Sequence, residues 1–179
     1  PSVLAQRSAL SGDGAAKDDR ETLRSLGFCA AAVTPSGGNF RGLASVVLLD
    51  EPENGRKAEV VALDVAHVVS LSMRWGGHPS SEMGAISLVR QTLADADWSR
   101  RAAAAMTSDP TLRAPRSHAN DALAALDRLR ERPLMFDCDD ELQTLRVARI
   151  AEEFSRRAIA IGSGMEFRRA QAIAAAKIP

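Results

Sequence analysis

From Pro133 to Pro179 the sequence alternates short apolar runs with helix-length amphipathic ones, and this limits the fold more than any other feature. Leu134-Met135-Phe136-Asp137-Cys138 reads as a strand. Asp139 or Asp140 can then cap a helix that keeps Leu142, Leu145, Ala148, Ala151 and Phe154 on one side. Ala158–Ile161 reads as a second strand. Gly162-Ser163-Gly164 turns into a helix with Phe167, Ala170, Ile173 and Ala174 inside, and Ile178-Pro179 looks like the start of another strand. Strand–helix–strand–helix with short connections is the pattern of a parallel α/β sheet with right-handed crossovers.

Earlier in the chain the pattern changes. Residues 1–19 form a polar segment with little periodicity. Asp18 or Asp19 can cap a helix that Gly27 ends. Phe28–Thr34, between Gly27 and Pro35, has the length and apolarity of a buried parallel strand. Ser36–Asn39 is a loop, a turn before it is an anion cradle. Leu43–Leu49 and Lys57–Ser70 read as two strands joined through Asn54-Gly55, which predicts an antiparallel hairpin over 43–70. Asp64 and His67 on its second strand are three apart and so face opposite sides, which makes them poor partners for one metal. His67 among apolar neighbours reads as a core or edge histidine. A helical stretch follows over 80–132, with one helix from about Ser81 to Met106, a linker at 107–118 and a second helix capped by Asn120. In the first helix Met83, Ile86, Val89, Leu93 and Ala96 draw one apolar stripe. Gly84 so early in that helix suggests something pressing on the backbone.

Pro79-Ser80-Ser81, Met83-Gly84-Ala85-Ile86, Leu88-Val89-Arg90-Gln91-Thr92 and Asp95-Ala96-Asp97-Trp98 together resemble a segment of the imidazolonepropionase-like branch of the amidohydrolase superfamily. Leu26-Gly27-Phe28 and Gly38–Gly42 before it, and Pro133–Asp137 and Glu152-Glu153-Phe154 after it, agree in order. The resemblance covers most of residues 20–179. It implies an α/β fold, a partial (β/α)8 TIM-barrel segment with parallel strands at Phe28, Leu134 and Ala158. The β-hairpin and the helices of 80–132 would be insertions. It also implies hydrolysis of amide or cyclic amide C–N bonds, commonly with a divalent metal such as zinc. A barrel typically needs about 250 residues, and this chain has 179, so the remainder of the barrel is an expected partner.

In such a barrel the chemistry gathers at the C-terminal ends of the strands. Asp137 follows a wholly apolar run there. It is the candidate catalytic residue, as a base, a cation ligand or an arginine partner. Its plain alternative is a solvated or capping carboxylate. Arg41, Ser163 and Gly164 are the candidate substrate-binding residues. Gly162–Gly164 could also form a nest for a phosphorylated ligand ahead of a helix. Cys138, near a helix start, could carry a lowered pKa, but no histidine is evidently placed beside it. No metal ligands are assigned. The superfamily's metal site rests on a His-x-His pair, which this sequence lacks, and His67, His78 and His118 are scattered. A non-catalytic barrel, docking partners through the Ser80–Trp98 helix, is therefore the alternative to an enzyme.

Composition narrows the partners. Twenty-three basic residues balance 23 acidic ones and tyrosine is missing, so nothing favours nucleic acid. No run is long and apolar enough for a membrane span. A small-molecule substrate fits the resemblance, and a homo-oligomer stays open. Two distant cysteines make no disulfide framework. The sequence indicates no compartment.

Overall fold

A computed structural model describes residues 2–11, 17–50, 59–109, 111–112 and 120–178. The elements run α1 (Lys17–Ser25), β1 (Ala30–Val33), β2 (Phe40–Leu48), β3 (Val60–Ser70), α2 (Glu82–Ser108), α3 (Asp121–Arg128), β4 (Leu134–Asp137), α4 (Glu141–Glu153), β5 (Ala158–Ile161) and α5 (Ala170–Ala176). The strands form one sheet in chain order, β1-β2-β3-β4-β5, curled into a half-barrel. β1–β2 and β2–β3 are antiparallel, and β3–β4 and β4–β5 are parallel.

Two expectations need correction. The strand after Gly27 is not one of the parallel set: β1 lies at the far edge and pairs only with β2. The third parallel strand is β3, so the hairpin is no insertion but the start of the parallel wall. Connection length is the cause. Residues 34–39 between β1 and β2 are too few for a parallel crossover, which takes a dozen or more. Residues 71–133 between β3 and β4 hold α2 and α3 and have ample length.

The helices form where side-chain oxygens satisfy free N–H groups. Ser81 Oγ accepts from Gly84 N at 3.1 Å, Asn120 Oδ1 from Ala122 N and Leu123 N, and Asp140 Oδ1 from Gln143 N at 2.7 Å. Gly84 is explained: a Cβ there would stand 3.2 Å from both the Pro79 ring and Ser81 Oγ. α2 buries Ala85, Val89, Thr92, Leu93 and Ala96. Met83, expected in that stripe, is 78% exposed. Between sheet and helices lies the main core, with Phe40, Val69, Leu71, Val89, Leu93, Leu126, Leu134, Phe136, Val147 and Ile150. Phe136 and Phe40 are wholly buried, and burial of such a side chain stabilises by about 1.5–3 kcal/mol. Arg90 clasps Glu153 through Nε and Nη2, tying α2 to α4 on the outside. The opposite, concave sheet face carries a small cluster of Ala44, Ala66 and Val68, with Val65 and Met135 against it.

Residues 2–11, read from sequence within a polar segment, lie along the sheet. Val3 and Ser8 bridge to Phe40 and Leu43, and Ala5 is fully buried. The last helix departs from expectation in the other direction. A 3-10 turn, Glu166–Arg169, precedes α5, neither buries a residue, and Phe167 is 73% exposed. The Asn54-Gly55 turn, His118 with most of the 107–118 linker, and Pro179 lie outside the described residues.

Candidate functional site

The C-terminal ends of the parallel strands come together at one end of the sheet. Asp137 ends β4, with Ser70 beside it on β3 and Ile161 on β5 in register. It points to the concave face, alternating with the core residues Phe136 and Cys138. β2 runs against β3, so its first residues reach the same end. Its register slips by one residue between Phe40 and Gly42, leaving Arg41 as a β-bulge. A bulge re-aims a side chain. Here Arg41 Nη1 crosses the end of β3 and meets Asp137 Oδ2 at 3.0 Å. The two side chains are 24% and 45% exposed, so solvent and small molecules can reach the pair.

Neighbouring groups hold this rim. Asn39, buried just before the bulge, donates Nδ2 to the carbonyls of Ser70 (3.0 Å) and Ser72 (3.1 Å), and its backbone carbonyl accepts from Ser70 N at 2.8 Å. Ser72 Oγ donates to Asp139 Oδ2 at 2.6 Å, and Asp139 N donates to Gln143 Oε1 at 3.0 Å. Three strand ends are thus laced together by short polar contacts.

Ser163 and Gly164 follow β5 at the same end and are exposed. Their backbone groups already serve the chain's own carboxylate. Ser163 N donates to Glu166 Oε1 at 2.7 Å, and Met165 N donates to Ser163 Oγ at 3.3 Å. The hydrogen bond from its own backbone N–H, then that from Ser163, holds the Glu166 carboxyl below the usual carboxylate range. A side chain at Gly162 would run into Glu166. The contact closes a local turn ahead of the 3-10 helix, whose N-cap Met165 makes no side-chain capping bond. The spacing Ser163–Glu166 stood in the sequence, and this contact was missed there. Any anion taken by the Gly162–Gly164 nest has to displace Glu166.

Cys138 does not fit a nucleophile. Burial pushes its thiol up to about 11, with a hydrogen bond to Thr144 acting against this and the charges of Asp137, Asp139 and Glu166 adding to it. His67 lies in β3 on the helix side of the sheet, buried, with Nε2 3.4 Å from the Leu129 carbonyl and Nδ1 without a partner among the described residues. His78 is in the loop after β3. Among the described residues no three His, Cys, Asp or Glu side chains converge on a metal position. At the rim Arg41 neutralises Asp137 and Ser72 engages Asp139, so the donors present do not make a zinc cage.

Against known structures the whole chain superposes on an amidohydrolase from Thermotoga maritima with a TM-score of 0.77. The two share that fold. Sequence identity is 17%, and the chain covers 100% of its own length and 48% of that protein, spanning about half of it. No protein-family model matches the sequence. No curated protein matches it either. Arg41 and Asp137 stand at the C-terminal end of the parallel strands of this shared fold.

Proposed function

We propose that this chain forms wall and rim of a (β/α)8 barrel hydrolase acting on amide or cyclic amide C–N bonds, in the imidazolonepropionase-like branch of the amidohydrolases. The Arg41–Asp137 pair carries the proposal, because it is a reachable, oppositely charged pair at the C-terminal end of the parallel strands. The fold shared with the Thermotoga maritima amidohydrolase supports it. In this reading water adds to the carbonyl carbon as the C–N bond breaks. Asp137 takes the proton from that water and returns it to the leaving nitrogen. Arg41 faces the negative charge that grows on the carbonyl oxygen. Ser163 and Gly164 border the substrate on the β5 side. The resemblance implies a divalent metal such as zinc, and no three ligating side chains converge for one among the described residues.

The test is hydrolysis of a panel of amides and cyclic amides by the complete protein, with its metal content measured alongside. Asp137→Asn is expected to lower kcat by about 10²–10⁴-fold while the far-UV circular dichroism stays unchanged. An unchanged kcat removes Asp137 from the chemistry. A metal-free protein that hydrolyses nothing favours the binding or assembly module.

A further inference from the structure

We infer that the groove between the ends of α4 and α5 and the start of β5 binds a phosphoryl group, carried by a small phosphate monoester or present as free phosphate. The groove lies at the other end of the sheet from Asp137, since β5 begins beside it with Ala158 and ends at Ile161, opposite Asp137. Its volume is about 640 Å³, within the roughly 300–1,000 Å³ of small-molecule sites. Arg149, Arg156, Arg157 and Lys177 line it, with Glu152 the one carboxylate among the described lining residues. The remaining walls are alanines and Ile178.

These cations are in excess and underused. Arg149 and Lys177 are exposed, and their side chains have no partner among the described residues. Arg157 donates Nη2 to the Glu131 carbonyl, which carries no full charge. Arg156 is a second, separate sign of a missing ligand. It is 7% exposed, its Nη2 donates to the Arg132 carbonyl at 3.5 Å, and its Nε has no partner among the described residues. Buried donors are nearly always satisfied, and leaving one on a cation is costly. Of the carboxylates whose charge reaches Arg156, Asp97 is engaged by Arg130 and Asp127 by Arg100. Four cations against one carboxylate leave an excess of three positive charges in the groove. The carbonyl ends of α4 and α5 offset about one of these, and about two remain. That excess suits a phosphate dianion better than a single carboxylate. Arginine adds a planar fork that fits phosphate oxygens, and the alanine walls leave room for an apolar body.

Calorimetric titration of the complete protein with phenyl phosphate and with inorganic phosphate tests this. The expected result is saturable binding that weakens as salt rises from about 0.05 to about 0.5 M. Arg149→Gln together with Lys177→Gln removes two exposed cations and leaves the core alone. The pair should weaken binding by at least about tenfold with circular dichroism unchanged. Arg156→Gln should weaken it as well, and the exposed pair carries the test if that buried change unfolds the protein. Tighter binding of phenyl phosphate identifies an ester and equal binding identifies free phosphate, and either supports the site. The absence of saturable heat up to roughly 10 mM of both overturns the inference. Binding that the double variant leaves unchanged overturns it too, because the anion then sits elsewhere, as at Gly162–Gly164. Benzoate bound as tightly as phenyl phosphate overturns the choice of a dianion. None of these outcomes depends on hydrolysis, so the groove and the proposed activity fail separately.

Discussion

Gly42→Ala is expected to cost on the order of 3 kcal/mol of stability and to loosen residues 2–11 from the sheet. Gly42 has φ of +131°, a region that side chains other than glycine's enter only under strain. A Cβ there would overlap the Arg7 carbonyl oxygen and stand 3.0 Å from the Pro35 ring. The Arg7 carbonyl cannot retreat freely, since it accepts from Leu43 N at 2.7 Å. The clash is thus with backbone on one side and strain on the other. Gly42 also closes the bulge that aims Arg41, so the same change should disturb the pair with Asp137. Urea unfolding measures the loss, and limited proteolysis reads the release of residues 2–11. A midpoint within error of the wild type would show that the amino-terminal segment does not press on β2.

The second large effect is on pH dependence. Burial, then repulsion from Arg156, with the Leu129 carbonyl acting against them, lowers His67 from its ordinary 6.5 to about 4. A group depressed on folding stabilises the fold above its unfolded pKa, and that contribution is lost as pH falls through the folded one. The window is therefore pH 6.5 down to about 4. At ~1.36 kcal/mol per pH unit the loss across it is about 3 kcal/mol. Arg156 is itself buried with Nε unpartnered among the described residues, and an ion pair of Arg130 with Asp97 lies nearby. A second positive charge on His67 is unwelcome there. The unfolding free energy measured at pH 7, 5 and 4 should fall for the wild type and fall much less for His67→Phe. Parallel curves for the two would show that other groups set the acid limit.

Much of the architecture after Pro133 was legible because its signals are short in range. Asp140 and Asn120 reach N–H groups two or three residues away, so the caps could be read directly. Alternation between Leu134–Asp137 and Ala158–Ile161 with a helix between them likewise needs no distant partner. The run at Ala30–Val33 misled because apolarity alone does not tell a parallel strand from an antiparallel one. The six residues that follow it already required the antiparallel arrangement. Arg41 and Asp137 could each be picked from their places at strand ends. Their meeting could not, since it depends on a register slip fixed by packing of residues 2–11 on β2. Glycine inside the run Phe40-Arg41-Gly42 was the one hint of that bulge. The outward face of Phe167 and the lack of a partner for His67 Nδ1 among the described residues are tertiary facts that no local pattern carries.

The meeting of Arg41 with Asp137 requires that β3, and not β1, stand beside β4. Backbone proton NOEs measured across the sheet decide this directly. Contacts linking Val68 and Val69 to Met135 and Phe136, and these to Ile159 and Ala160, in the parallel pattern, are the predicted result. Contacts from Ala31–Val33 to Met135–Asp137 would contradict it, and would separate Arg41 from Asp137.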